Sequence, residues 1–310
     1  MAMGTLLAAE VPTDIQRHVS LAPYTTTRVG GAADWFATVR SRRAVVSALG
    51  WAADRDLPVA VIGKGSNLLV DDDGFRGLVL RLAGALSGIS LRDGRIWCGG
   101  GASFPRAVQR AAASGWGGIE FGASIPGTAG GAVAMNAGAY GTEVVDVLEW
   151  AVVCSAEGHD VRGADDFDFA YRHSNLRPGE IVTLASFRLH EEDAEVVAGR
   201  LREWRTHRRD TQPQGVRTFG SVFTNPPRNG AGRLLEAAGC KGLRVGGARF
   251  SPKHANFIEV DAESRTADVV ALMAEGRRRV RAAGGPVLHP EVHYLHPTRG
   301  MIPTPLPELS

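Results

Sequence analysis

The sequence predicts an α+β protein of two domains, with strands and helices mixed along the first domain and a long helix bridging to a smaller second one. Three observations carry this. The 310 residues suit about two domains. Short apolar strand candidates alternate with amphipathic helices along the first part, and a second set of helices and strands follows residue 212. Between them, residues 194–207 put Val197, Leu201 and Trp204 on one helical stripe and end in an arginine-rich turn, within a bridging stretch 193–211.

The elements follow in order. Residues 44–54 read as a helix with Val45, Leu49 and Ala52 on one face and Pro58 beyond its end. Residues 59–62 form a buried strand running into Gly63-Lys64-Gly65-Ser66-Asn67; residues 68–70 and 78–80 are strands split by the turn Asp71-Asp72-Asp73-Gly74. Arg92-Asp93-Gly94-Arg95 predicts a hairpin turn, and residues 104–114 a helix with Pro105 in its first turn. Residues 144–153 and 181–189 read as strands. The second domain, 212–296, has helices at 231–238 and 267–283 and strands at 255–260 and 292–295. From Pro297 the tail carries four prolines within eleven residues and is expected to be disordered.

Composition excludes several classes. Hydrophobic residues at 44% and charged residues at 22% are ordinary for a soluble protein, and a net charge of +2 argues against general nucleic-acid binding. The arginine-rich helix has no aromatic stacking platform to change that. Three widely spaced cysteines, Cys98, Cys154 and Cys240, form no CxxC and suit a reducing cytosol. No apolar run approaches the roughly 18 residues of a membrane span. Residues 1–10 lack the basic start of a signal peptide. A cytoplasmic protein, monomeric rather than an obligate oligomer, is expected.

The densest chemistry lies between Gly117 and Gly141, where eight glycines surround Ile125-Pro126-Gly127-Thr128 and Met135-Asn136-Ala137-Gly138-Ala139-Tyr140. Glycine lets the backbone approach a ligand and aim its N–H groups at it, while Ile125, Val133 and Met135 anchor the segment to a core. The Gly63 loop also follows a strand. It is not a dinucleotide fingerprint, because Leu68 stands where a third glycine belongs and a strand follows; its lysine spacing is wrong for a Walker loop. Alone it could be a plain tight turn. Paired with the second loop it reads as half of a phosphate-wrapping cradle.

Thr25-Thr26-Thr27-Arg28-Val29-Gly30-Gly31, the loop Gly63-Lys64-Gly65-Ser66-Asn67-Leu68-Leu69-Val70, and Ile125-Pro126-Gly127-Thr128-Ala129-Gly130-Gly131 together resemble the flavin-binding half of the UDP-N-acetylenolpyruvoylglucosamine reductases. The resemblance runs from about residue 21 to 295. It implies a two-lobed FAD-binding domain of the PCMH/vanillyl-alcohol-oxidase type over 21–192, with lobes of about 21–85 and 86–192, and a C-terminal α+β substrate domain. It implies cofactor contacts from Gly63, Lys64, Gly65, Ser66, Asn67 and Leu68, from Ile125, Pro126, Gly127, Thr128, Gly130 and Gly131, and from Asn136, Ala137 and Gly138. Neither loop holds a histidine or cysteine, so the FAD is expected to be non-covalent.

The same resemblance implies a reaction: NADPH is the hydride donor, and the enolpyruvyl ether of UDP-N-acetylglucosamine is reduced to UDP-N-acetylmuramate for peptidoglycan. Hydride arrives at the terminal methylene, charge spreads from the adjacent carbon into the carboxylate, and a proton follows. That chemistry needs a cation or acid at the carboxylate and a proton donor at the carbon. Arg172 in Tyr171-Arg172-His173-Ser174, Ser221 in Gly220-Ser221-Val222-Phe223, and Glu291 in His289-Pro290-Glu291-Val292-His293 match the family's active-site arginine, serine and glutamate. Read without the family, Arg172 is a surface ion-pair partner, Ser221 a turn residue and Glu291 a solvated carboxylate.

A rival reading takes His289, Glu291 and His293 as metal ligands on one strand face, but ligands at such spacing point too nearly parallel to converge, so no metal is expected. Arg200, Arg202, Arg205, Arg208 and Arg209 are either a solvated helix face or, near the helix end, partners for a diphosphate or a 2′-phosphate. Tyr140, Asn225 and Arg209 are the expected substrate contacts. The chain lacks room for the extra tyrosine-bearing loop of some members and resembles the shorter subtype. It departs from the pattern at Thr224, where members commonly carry lysine. Two other readings remain: a flavin oxidoreductase of this scaffold acting on another substrate, and a flavin- or nucleotide-sugar-binding paralogue without turnover.

Overall fold

The computed structural model describes residues 15–308. The signal-peptide reading of residues 1–10 falls outside them.

The first lobe is a four-stranded sheet in the order Ile15–Ser20, Ala32–Val39, Phe75–Leu82, Val59–Val61; the first pair is antiparallel and the others parallel. Helix Arg42–Ala53 begins two residues earlier than its apolar periodicity suggested. The reason is its cap: Ser41 Oγ accepts the Ala44 N–H at 3.2 Å. Its Val45, Ala48, Leu49 and Ala52 pack on Leu78 and Leu80 of the sheet. The second lobe is a five-stranded antiparallel sheet in the order Gly158–Gly163, Leu148–Ser155, Ile181–Arg188, Arg95–Gly99, Ile89–Arg92. Asp93 and Gly94 both take positive φ, 50° and 69°, which is the turn that matches the twist of its hairpin. Helices Phe104–Ala112, Ala129–Ala134 and Ala194–Thr211 bring Phe104, Val108, Val133, Val197 and Leu201 into one core with that sheet.

Residues 144–153 are not one strand. Val144–Val147 form a helical turn before the strand Leu148–Ser155, because Asp146 Oδ2 accepts the Glu143 N–H at 2.8 Å and Asn136 Oδ1 the Val145 N–H at 3.0 Å. A run of valines carries strand propensity, and side-chain capping overrides it. The bridging helix runs one turn past 207 to Thr211, and Gln212, held extended ahead of Pro213, ends it.

The C-terminal part packs helices Ala231–Ala237 and Thr266–Ala282 on a three-stranded sheet of Arg244–Val245, Ala248–Phe250 and Ile258–Val260. The last strand is shorter than 255–260 because residues 254–257 turn, with the Phe257 N–H on the His254 carbonyl at 3.0 Å. Strand His293–His296 then pairs in parallel with Leu68–Val70 of the first lobe, in register His293 to Leu68. Leu69 and Val29, from the first lobe, are buried in the C-terminal core. The junction is polar as well as apolar. Asp72 accepts the Thr266 and Ala267 N–H groups at 2.8 and 3.1 Å, Thr266 Oγ1 donates to Val70 O, and the Tyr294 hydroxyl donates to Asp71.

The tail beyond Pro297 is not disordered over the described residues. Gly300–Pro303 forms an antiparallel edge strand on His293–His296, the Arg76 N–H reaches Pro297 O at 2.6 Å, and Thr304 Oγ1 donates to Val292 O at 2.6 Å. Proline ends that strand where an edge tolerates it, and Ile302 and Leu306 pack on the C-terminal core. Among the described residues no helix is long and apolar enough to cross a membrane.

Leu69 is fully buried at the seam between the two parts. Leu69→Ala is therefore expected to destabilise the protein by about 2–5 kcal/mol, read as a lowered midpoint in urea unfolding with an unchanged slope. A loss below 1 kcal/mol, within the range of ordinary surface substitutions, would contradict the packing described.

Candidate active site

A cavity of about 1670 Å³ opens between the two glycine-rich loops and the C-terminal part. It exceeds the roughly 300–1,000 Å³ of a single small-molecule site. Every residue from Gly63 to Leu68 lines it, as do Ile125, Pro126, Gly127, Thr128, Gly130, Gly131, Ala137, Gly138, Tyr140, Arg172, Ser221 and Glu291.

The first loop is shaped from behind. Gly65 has φ +60°, and a Cβ there would lie 2.3 Å from the Tyr24 carbonyl oxygen. The Thr26 N–H and Oγ1 both reach the Gly65 carbonyl, at 3.2 Å each, and Thr25 Oγ1 accepts the Arg28 N–H at 3.0 Å. The Thr25–Gly31 motif is thus the loop's brace. Among the described residues the N–H groups of 63–67 donate to no protein group. They form a row of free donors on a cavity wall, the arrangement that binds anions. The second loop abuts the first: a Cβ on Gly63 would lie 2.7 Å from Thr128 Oγ1, and one on Gly127 would reach only Ser66 Oγ and Ile125, each at 4.0 Å. Gly130 serves packing instead. Its N–H is bound to Gly100 O at 2.9 Å, and a Cβ there would meet Gly100 O at 2.9 Å and Val182 O at 3.0 Å.

Arg172, held at φ +58°, is tied to two other residues of the cavity lining. Its Nε donates to Glu291 Oε1 at 2.9 Å and its Nη2 to Gly138 O at 3.0 Å. Nη1 is buried without a hydrogen bond, 3.5 Å from Glu143 Oε1. Burial pushes the Glu291 carboxyl above its usual range, against the pull of the Arg172 charge and hydrogen bond. Asn67 grips the Glu291 backbone: Asn67 Nδ2 donates to Glu291 O at 3.1 Å and the His293 N–H to Asn67 O at 3.2 Å. His293 also lines the cavity, and burial holds its imidazole below its ordinary pKa. His289 is exposed and outside the cavity lining, and among the described residues no three His, Cys, Asp or Glu side chains gather as metal ligands.

Ser221 follows Gly220, at φ +84°, and its hydroxyl has no hydrogen-bond partner among the described residues. Buried Asn256 fixes the following segment. Its Oδ1 accepts the Phe223 N–H at 3.0 Å, its Nδ2 donates to Phe223 O at 2.8 Å, and its carbonyl accepts the Val222 N–H at 2.9 Å. Nothing in the sequence reading assigned Asn256 a role; it lay in the strand expected over 255–260.

Three expected contacts lie elsewhere. Asn136 is buried outside the cavity lining, with its amide spent on Glu143 Oε2, Ala170 O and the Val145 N–H. Asn225 Oδ1 accepts the Ala231 N–H at 3.0 Å and caps a helix rather than facing the cavity. Arg209 is exposed and pairs with Asp210 at 3.1 Å; its neighbour Arg208 lines the cavity, donates to Ser124 O, and is held below its ordinary pKa by burial. A helix turns about 100° per residue, so adjacent arginines face different ways, and periodicity alone did not say which faced in. Thr224 Oγ1 donates to His289 O at 3.3 Å. Elsewhere on the cavity lining the sequence signalled nothing, yet Glu180 accepts two hydrogen bonds from Arg162 at 3.0 and 2.7 Å and three from the Arg177 Nε, Nη2 and backbone N–H at 3.0, 2.6 and 2.9 Å.

Two abutting glycine loops, one with a row of free N–H donors, closed by a separate α+β unit, define a protein that cradles a phosphate-bearing ligand between domains. A family model for an FAD binding domain matches residues 33–163, and one for the UDP-N-acetylenolpyruvoylglucosamine reductase C-terminal domain matches residues 212–295. The chain is 40% identical over 283 residues to UDP-N-acetylenolpyruvoylglucosamine reductase 2 of Symbiobacterium thermophilum, covering 91% of this chain and 92% of the relative. It is 42% identical over 275 residues to the reductase of Rubrobacter xylanophilus, covering 88% and 92%. The crystal structure of the Thermus caldophilus reductase (MurB) superposes with a TM-score of 0.80 at 38% identity, covering 90% of this chain and 98% of that one. The chain belongs to the UDP-N-acetylenolpyruvoylglucosamine reductase (MurB) family, FAD-binding oxidoreductases of peptidoglycan synthesis.

The Glu180 side chain is 3% exposed, and Arg162, ahead of Arg177, holds its carboxyl down from an ordinary 4.5 to about 2. A carboxyl depressed on folding stabilises the protein fully above its unfolded pKa and loses that contribution as pH falls toward the folded one. The stability gap between the wild type and Glu180→Gln is therefore expected to be constant above about pH 5 and to shrink between about pH 4.5 and 2. Urea unfolding across that window measures it, and a gap independent of pH would contradict the assignment.

Proposed function

We propose that this chain reduces the enolpyruvyl ether of UDP-N-acetylglucosamine to UDP-N-acetylmuramate, with non-covalent FAD between the two loops and NADPH as the hydride donor. The observation that carries this is the meeting of Ser221, Arg172 and Glu291 on one cavity wall, with Glu291 gripped by Asn67 of the first glycine loop. FAD, when bound, supplies the chemistry that accepts a hydride from NADPH and passes it to the substrate.

The chain's own residues do the rest. The free N–H groups of 63–67, with Ser66, hold the cofactor diphosphate. The second loop, Ile125–Gly131, forms the facing wall. Arg172, its side chain 21% exposed and on the cavity lining, is the cation for the substrate carboxylate. As hydride adds to the methylene carbon, negative charge spreads from the neighbouring carbon onto that carboxylate, where Arg172 and a protonated Glu291 meet it. Ser221, whose hydroxyl has no other partner, gives its proton to the carbon, completing the addition of one hydride and one proton across the double bond. Tyr140 and Arg208 face the nucleotide part of the substrate; Arg208 takes the role first expected of Arg209.

In Ser221→Ala, NADPH is expected to bleach the flavin at the wild-type rate while enolpyruvyl reduction falls about 10²–10⁴-fold, the usual worth of a positioned proton donor. Stopped-flow absorbance separates the two half-reactions, and normal substrate turnover would remove Ser221 from the mechanism. A Glu291 that must be protonated works below its raised pKa and fails above it. Wild-type kcat should therefore fall along an alkaline limb that Glu291→Gln lacks, and an identical limb in that variant would assign it to another group.

A further inference from the structure

Tyr140, placed above at the nucleotide part of the substrate, also stacks on a tryptophan that the proposed mechanism does not use. Tyr140 sits at φ +55° in the short hairpin of Gly138–Ala139 and Thr142–Glu143, and its ring remains 42% exposed. A non-glycine residue in that region is strained and persists only when its surroundings hold it. The holding group is Trp204, on helix Ala194–Thr211. The two rings stack at 4.2 Å and 12°, and the Tyr140 hydroxyl donates to Trp204 O at 3.3 Å and accepts from Ser124 Oγ at 3.4 Å. One turn further along the same helix, Arg208 donates to Ser124 O. The end of helix Ala194–Thr211 therefore fastens both the hairpin and the start of the second glycine loop. The hairpin also contacts the reacting groups, because Gly138 O accepts Arg172 Nη2 and Glu143 faces Nη1.

We infer that Trp204 is a positioning residue: stacked on Tyr140, it holds the Gly138–Glu143 hairpin and, through the Gly138 carbonyl, the orientation of Arg172. The inference rests on the reading of Arg172 as the carboxylate-binding group, and it extends that reading to a residue that touches neither substrate nor cofactor. The hydroxyl contact goes to the Trp204 backbone, so substitution of the side chain removes the stack alone. Phenylalanine keeps a stacking face and alanine does not.

The test is amide hydrogen exchange across residues 138–144 of the protein without substrate, paired with steady-state kinetics on UDP-N-acetylglucosamine enolpyruvate. In Trp204→Ala the hairpin amides, including the Val144 N–H on Ala137 O, should exchange about tenfold faster or more, as local opening becomes easier. Its kcat should fall about tenfold, because misaligned donors lose transition-state contact, while flavin reduction by NADPH is unchanged. Trp204→Phe should restore both. Should Trp204→Ala fail to fold, Tyr140→Leu removes the other ring from the exposed side and should give the same rise in exchange. Unchanged exchange in either variant, or a kcat loss that phenylalanine does not restore, overturns the inference. Absence of turnover by the wild-type protein overturns the functional reading instead, and exchange still decides whether Trp204 holds the hairpin.

Discussion

The site depends on one short pairing: three residues of the first lobe, Leu68–Val70, lie parallel to three at the end of the C-terminal part. Its register sets His293 against Leu68, and so brings the Glu291 carbonyl within reach of the Asn67 amide. A slip of one residue would turn every side chain to the opposite face. Glu291 would then leave Arg172, and the acid would no longer share a wall with the free N–H row. The surrounding contacts enforce the register. Leu69 is buried in the C-terminal core, Asp72 caps the helix that follows, and Thr304 binds Val292 from the outer edge.

The glycines that first drew attention do different jobs. Gly65 lets the loop turn against Tyr24, Gly130 lets a helix approach the strand that carries Val182, and Gly127 leaves the cavity open. Composition alone cannot separate these, since each looks like a residue without a side chain. The donors are as uneven. The first loop leaves its N–H groups free, whereas in the second loop the Gly127, Ala129, Gly130 and Gly131 N–H groups are bound within the protein. One loop offers hydrogen bonds and the other shapes the wall.

Much of this was legible in the sequence. Long amphipathic helices, the Asp93-Gly94 turn and the order of elements follow from periodicity and turn chemistry. The three residues proposed to react were picked out through the family resemblance, and all three line one cavity. What could not be read depended on side chains reaching across the fold. The resemblance made Asn136 and Asn225 expected contacts, but the Asn136 amide is bound to Glu143 Oε2, Ala170 O and the Val145 N–H, and Asn225 Oδ1 is bound to the Ala231 N–H. Residues 144–147 looked like strand until Asp146 and Asn136 capped them. The proline-rich tail looked disordered because nothing local announces that an edge strand awaits it. Arg208 and Arg209 differ only in the direction their helix gives them.

The bond between Asn67 and Glu291 joins residues 224 apart in the chain. Contacts that distant are slow to form, because a long loop must close before they return any stability. During synthesis the first glycine loop leaves the ribosome long before the strand that flanks it exists. The lobes can acquire much of their own cores early, as larger proteins generally do unit by unit. Asn67 and Glu291 meet only once residue 291 has been made, so a chain stopped before it can keep a folded lobe and still lack the wall that Glu291 completes.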